Sequence, residues 1–518
     1  MTTVRDPNLP AFRNPILSGF HPDPSICRVE DDYYLVTSSF EWFPGLPIFH
    51  SRDLVHWRPL GHVLDHPSQL PLDGVKASKG LYAPTIRFHD GTFYVVCTLV
   101  DGTSWSGHFV VTATDPAGPW SEPHPLEGGD IDPSLFFDDD GRAWLTATRQ
   151  VSGRHEGATE VWLREFDPAK LRLTGPEHVI WDGAVKGAVW PEGPHLYKID
   201  GRYHLITAEG GTAHDHAVVS ARADRVTGPY EGCPRNPVLT HRHLGLDHPI
   251  TAVGHADLVR TPGGDWWMTL LAMRPYGGYF SNLGRETFLV PVRWEDGWPV
   301  AGPVEPSAAA PRLPEHPWPA EPACDHFDAA ELGPYWNVLR TPRERWWSLT
   351  DRPGHLRLRV RPESLAGDGN PSFVARRQQH RDFAAFTALD FTPGGENECA
   401  GLALIQNPGF HVLFVLTTGG LRLVRREGGT DTTLAEHPVP PGPLYLGVEA
   451  RGQSYEMRFA VQPGRWQRLG DPVDGRLLSP EVAGGFTGAC IGMYASSLGR
   501  PSMSVADFDW FEYSGIQL

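Results

Sequence analysis

Three carboxylates stand at matching places in a repeated unit. His21-Pro22-Asp23-Pro24-Ser25, Asp130-Ile131-Asp132-Pro133-Ser134 and Trp190-Pro191-Glu192-Gly193-Pro194-His195 each set an acid beside or close to proline, ahead of a short apolar run. Asp before Pro often marks nothing more than a turn. Acids at three of five equivalent positions, however, form a register for which a solvated turn has no use. Carboxyl groups that face each other across a pocket suit cleavage of a glycosidic bond. One must be protonated to give a proton to the leaving oxygen, and the other must be ionised. Burial and like-charge repulsion can separate their pKa values, and a third carboxylate can tune the acid. Glu192 has the longest reach and follows Trp190-Pro191, an apolar flank able to raise its pKa. Asp23 sits in a proline-fixed turn suited to holding a water. Spacing by itself does not assign the roles.

The unit that positions these acids occurs five times. Each copy runs from the acid or its equivalent, through an acidic or glycine turn, into an aromatic and β-branched run. Tyr34, Tyr94, Trp144, Tyr203 and Trp267 mark those runs, 60, 50, 59 and 64 residues apart. From Asp23, Ala83, Asp132, Glu192 and Ala256 to the markers the gaps are 11, 11, 12, 11 and 11 residues. A hairpin repeated with this period predicts a β-propeller. Innermost strands of a propeller line its axis, so Asp23, Asp132, Glu192 and His255 are expected to share one central pocket. Segments such as Ile48–Trp57, Val110–Trp120 and Val218–Tyr230 resemble one another and read as third strands with their turns.

A chain of 518 residues should hold more than one domain. Its 56 Gly and 50 Pro point to many turns, as an all-β protein needs. The repeats occupy residues 14–305. The Pro- and Ala-rich stretch from Pro299 to Pro322 reads as a linker, assigned to 306–324. Residues 325–518 lack the repeat. There Leu356-Arg357-Leu358-Arg359-Val360 alternates cleanly, and Leu421–Val424, Leu444–Val448 and Tyr455–Phe459 continue in kind, so a β-sandwich is expected.

The net charge of −17 argues against nucleic acid and anionic membranes as partners. No apolar run is long enough to span a bilayer, and Met1–Pro7 has no apolar core of a secretory signal. Six scattered cysteines make neither a zinc pattern nor a disulfide framework, which suits a cytoplasmic location.

Taken in order, the three acid motifs resemble the signatures of glycoside hydrolase family 43, and most closely its two-domain β-xylosidases. The likeness extends through Tyr82–Arg87, Gly254–Asp257, Leu283–Phe288 and a closing Ala506–Tyr513 run, so it covers nearly the whole chain. It implies an all-β architecture: a five-bladed β-propeller followed by a C-terminal concanavalin-like jelly-roll β-sandwich. It also implies an inverting mechanism. By this resemblance Asp23 is the general base, Glu192 the general acid, and Asp132 tunes and orients the acid. Arg285 would hold sugar hydroxyls in the subsite for the non-reducing end; the plainer reading is an ion pair with Glu286 or a neighbour. Phe40 and Tyr82 would form apolar walls, with propeller core an equal reading for Phe40. Phe486, in Gly484–Ala489, would be lent to the pocket by the sandwich. His255 would hydrogen-bond beneath the site; calcium near it is compatible with the resemblance, although one His is a poor calcium signal. No other metal and no required cofactor is expected. His214, His216, His241, His243 and His248 read as loop residues, some at the pocket rim. The expected reaction is exo release of xylose from the non-reducing end of short β-1,4-xylo-oligosaccharides, with α-L-arabinofuranosidase as the alternative. A non-catalytic sugar-binding propeller is disfavoured by three intact carboxylates. The expected partner is a small oligosaccharide, and a homo-oligomer is compatible with the sequence.

Overall fold

Two-residue turns explain why the repeats fold as hairpins. Asp90-Gly91 joins strands Gly80–His89 and Thr92–Val100, and Asp200-Gly201 joins Glu192–Ile199 and Arg202–Glu209. All four turn residues have positive φ, between 46° and 79°. Such turns match the twist of the flanking strands. Third strands pair back on each hairpin at Gly45–Ser51, Gly107–Ala113, Thr159–Asp167, Ala217–Ala223 and Glu286–Glu295. The computed structural model, which describes residues 10–516, thus contains five blades around one axis. The N-terminal stretch read for a secretory signal, Met1–Pro7, lies outside the described residues. Four blades have four strands; the fourth has an additional short strand, Leu239–Thr240, on the edge of Ala217–Ala223. No helix among the described residues is long and apolar enough to cross a membrane.

The inner strands share a kink. Ser25, Thr85, Ser134, His195 and Asp257 pair with Val36, Val96, Thr146, Ile206 and Thr269. Two residues before them stand Asp23, Ala83, Asp132, Gly193 and His255, with φ of 54°, 33°, 58°, 57° and 48°. The ladder shifts register at this place in four of the five blades. A bulge of this kind re-aims side chains toward the axis. The structural register therefore corrects the sequence count in two blades. The equivalent of Asp23 is Gly193, with Glu192 one residue earlier, and it is His255 in place of Ala256.

The N-terminal segment closes the ring against the fifth blade. Leu17 bridges Thr287, and the Asn14 side chain donates to the Leu289 carbonyl and accepts from its N–H. Beyond the fifth blade the chain is less of a linker than its composition suggests. Trp298–Ala301 is that blade's fourth strand, and Ser307–Ala309 pairs with Ala11–Arg13. Farther on, the His316 N–H donates to Asp53, and Arg58 stacks on Trp318. A segment rich in proline can still form edge pairs wherever the proline nitrogen is not needed.

The C-terminal region folds as two packed antiparallel sheets, with Leu356 and Leu358 buried between them while Arg359 is exposed. The runs read in sequence lie inside Gly420–Glu427, Leu444–Arg451, Ser454–Ala460 and Val505–Gly515. One sheet includes a strand from the propeller: Trp42–Phe43 pairs with Asn337–Leu339. A single apolar cluster passes from Leu46, Leu64 and Leu81 of the first two blades into Val338, Leu402 and Ile491 of the sandwich.

Candidate active site

The kinked positions open on one cavity of about 360 Å³ at the end of the axis. Asp23, Asp132, Glu192, His255, Arg285, Phe40, Tyr82 and Phe486 all line it. So do Trp190, read in the sequence only as an apolar flank, His216, read as a loop residue, and Gly211 and Thr212, which sequence reasoning left unassigned.

Asp23 is 5% exposed and fixed by two partners. The Ser38 hydroxyl donates to one oxygen at 2.6 Å, and Arg285 Nη1 donates to the other at 3.0 Å. Ser38 in turn accepts from the Ala83 N–H at 2.7 Å, so the second blade holds the first blade's acid in place. Burial would raise the Asp23 pKa. The Arg285 guanidinium, then His255 and the Ser38 hydroxyl, outweigh it, and the carboxyl lies below its ordinary value. Asp132 accepts from the Gly193 N–H at 2.9 Å. Burial, with the Asp23 charge adding to it, pushes Asp132 up to about 6 against the opposing pull of His255. Glu192 rises well above the carboxylate range, first through burial and then through the charges of Asp132 and Asp23. Three acids in one cavity thus divide into one held ionised and one held protonated, with the third between them.

Arg285 is 6% exposed. It donates to Asp23, to Thr212 Oγ1 at 3.0 Å and to the Phe486 carbonyl at 3.4 Å. An ion pair does form, with Asp23 and not with Glu286. Glu286 faces the other side of the strand, where it accepts two bonds from Arg274 at 2.7 Å and one from the Gly19 N–H. Alternation along a strand accounts for this division.

Phe40, Tyr82 and Phe486 form an aromatic corner. Their ring centroids lie 5.3 to 6.3 Å apart, and Arg285 stands over both Phe rings. Ser78 ties the corner together. Its carbonyl accepts from the Tyr82 hydroxyl, and its own hydroxyl accepts from the Phe486 N–H. A Cβ on Gly485 would lie 2.4 Å from Ser78 Oγ, so glycine is required for the sandwich loop to reach the propeller there.

His255 packs its ring on Gly193, where a Cβ would come within 3.0 Å, and stands 3.9 Å from Asp23. His216 is buried, not a rim residue: its ring occupies the space a Cβ on Gly254 would fill. The small residue before His255 was the available signal. His241 is also buried, with Nδ1 close to the Ile250 carbonyl and Nε2 accepting from the Val304 N–H. The Trp190 indole, also on the cavity, is fitted between Gly157 and Gly211. Calcium needs six to eight oxygen ligands. No group of three or more His, Cys, Asp or Glu among the described residues is placed to hold a metal ion, and nearby Asp257 is filled by Arg87, Ser25 and Tyr197.

Residues 12–299 match the profile described as glycosyl hydrolases family 43, and residues 324–514 match a β-xylosidase C-terminal concanavalin A-like domain. The chain belongs to glycosyl hydrolase family 43. It is 45% identical to a xylosidase/arabinosidase of Butyrivibrio fibrisolvens, over 96% of this chain and 98% of that one. It is 42% identical to a non-reducing end alpha-L-arabinofuranosidase of Bacteroides ovatus, over 97% and 94%. Among solved structures, a xylan beta-1,4-xylosidase from Bacillus halodurans superposes with a TM-score of 0.92 at 40% identity, covering 97% of this chain and 100% of that one. The family 43 enzyme described here is a glycoside hydrolase with the five-bladed propeller and concanavalin-like sandwich that the sequence implied. Family 43 chemistry requires no cofactor.

Proposed function

We propose that this enzyme is an exo-acting β-xylosidase that frees xylose from the non-reducing end of short β-1,4-xylo-oligosaccharides with inversion. Asp23 is the base. Held ionised by Arg285, it takes a proton from a water that attacks the anomeric carbon. Glu192 is the acid and gives its proton to the glycosidic oxygen as the C–O bond breaks. Asp132 carries the charge that keeps Glu192 protonated. Arg285 and Thr212 hold hydroxyls of the terminal sugar against the aromatic corner, and Trp190 faces the leaving group. One observation carries the reading: within a single cavity one carboxyl is held below its ordinary pKa and another well above it.

A second reading, α-L-arabinofuranosidase, is favoured by the names of the two relatives above. Initial rates on p-nitrophenyl β-xyloside, p-nitrophenyl α-arabinofuranoside and xylobiose decide between them. A kcat/KM higher for the xyloside, together with xylobiose cleavage, supports the first reading. The reverse order supports the second, and binding without turnover would overturn both. NMR of the first-formed sugar should show the anomer opposite to the substrate. A cytoplasmic location, acting on imported oligosaccharides, belongs to the same proposal. The six free thiols support it, and cell fractionation tests it.

A further inference from the structure

A second cavity, of about 60 Å³, lies where the sandwich meets the first blade. His21, Glu321, Tyr335, Arg376, Arg377 and Gln379 supply its polar lining, and Pro47, Phe49 and Pro334 its apolar walls. Arg377, the last residue of strand Ser372–Arg377, is only 7% exposed. Its Nε donates to the Phe20 carbonyl at 2.9 Å, its Nη1 reaches Asn337 Oδ1 at 3.4 Å, and the guanidinium lies over the Phe20 ring. Its Nη2 is buried and has no hydrogen-bond partner among the described residues. Arg376, 8% exposed, donates to Gln379 and likewise leaves a buried Nε without a partner.

No carboxylate among the described residues lies within ion-pair distance of either arginine. The groups around Arg377 carry no balancing charge. Burial pushes the Cys490 thiol up to about 12 and holds His62 at about 3, so both are neutral near pH 7, as is buried His21. Arg377 itself is pushed down to about 10 by burial and stays charged at that pH. Glu321 is the one acid on the cavity, and it sits exposed at the rim on the Arg376 side. A buried cation with a free N–H and no counter-charge is the state proteins avoid.

We propose that this cavity binds a small monovalent inorganic anion, chloride in the cell, on Arg377 Nη2 with Arg376 beside it. The size and the proline and phenylalanine walls suit a weakly hydrated halide better than a phosphate, which would need more converging donors. The site adjoins the proposed catalytic machinery without entering it. Arg377 holds the Phe20 carbonyl, and the next residue, His21, donates its N–H to the Arg285 carbonyl, two residues ahead of Asp23. A bound anion therefore braces the segment that carries Asp23.

The test uses the full chain, freed of chloride in gluconate buffer at constant ionic strength. Titration with sodium chloride, and separately with sodium bromide, should raise Tm along a saturating curve. A bromide-soaked crystal should show an anomalous peak within hydrogen-bond reach of Arg377 Nη2. Arg377→Met should move the chloride midpoint upward at least about tenfold, and Glu321→Gln, which removes the rim acid, should move it down. Should Arg377→Met fail to fold, the wild-type titration and the anomalous map decide alone. A Tm that responds equally to gluconate and chloride, or a peak absent from the cavity, would overturn the proposal and leave a water there.

Discussion

At the residue scale, acid and base separate by what the leaving group needs. Glu192→Ala removes the proposed proton donor, so cleavage of xylobiose should fall by roughly 10²–10⁴-fold, while a dinitrophenyl xyloside, whose leaving group needs no proton, keeps most of its rate. Asp23→Ala should lose both substrates to similar degrees. Equal losses in the two variants would leave the assignment unsupported. The pH profile follows from the same environment. With Asp23 below and Glu192 above their ordinary values, kcat/KM should be bell-shaped, rising as Asp23 ionises and falling as Glu192 loses its proton. The Asp132 charge is among the causes that raise Glu192. Asp132→Asn should therefore move the alkaline limb to lower pH, and an unmoved limb would remove Asp132 from that role. The three acids were legible because each stands beside a proline at a repeating interval. Thr212 and Ser38 were not legible, because what defines them is a contact with a residue distant in sequence. Trp190 was read only as an apolar flank, yet an aromatic two residues before the longest acid was a usable signal for a wall of the same cavity.

At the element scale, the kinked inner strand does the positioning, and its order in sequence conceals one detail. Counting from the aromatic markers places Glu192 level with Asp23, whereas the ladder places Gly193 there. A count of residues does not register a bulge, which adds a residue on one strand only. Below the kink, Asp257 collects the inner strands. It accepts from Ser25, Ile26 N–H, Arg87 and Tyr197, drawn from three other blades. Burial would raise its pKa, but Arg87 and its other partners hold the carboxyl far below the ordinary value. Its contribution to stability is thus complete above the unfolded-state pKa of about 3.9 and is lost as pH falls toward the folded value. Asp257→Asn should cost about 3–5 kcal/mol in chemical denaturation, since it strands a buried Arg87. A loss below 1 kcal/mol would mean that water reaches the axis. The sandwich loop makes a different demand. Gly485, at φ +91°, clears Ser78, so Gly485→Ala should displace Phe486 and lower kcat/KM on the order of 5–30-fold, with Tm little changed.

At the scale of the whole molecule, the two regions share a sheet, an apolar cluster and a wall of the cavity. A chain ending near residue 320 should lose solubility and activity, because the faces of Leu46, Leu64 and Leu81 would be bared and Phe486 lost. A soluble truncation with full activity on xylobiose would contradict this. The division into propeller and sandwich was legible from where the repeat stops. Their fusion was not, since the strand that joins them is the two-residue segment Trp42–Phe43, too short to stand out by composition. That strand gives the peptide connection an unexpected status. The halves are held by backbone hydrogen bonds and a buried seam, so the covalent link serves only to raise the local concentration of one half near the other. A protease site placed at the exposed Pro319-Ala320-Glu321 stretch should yield two fragments that migrate as one particle and turn over substrate like the uncut enzyme. The bond that makes this protein a single chain is then one it needs for assembly and can do without afterwards.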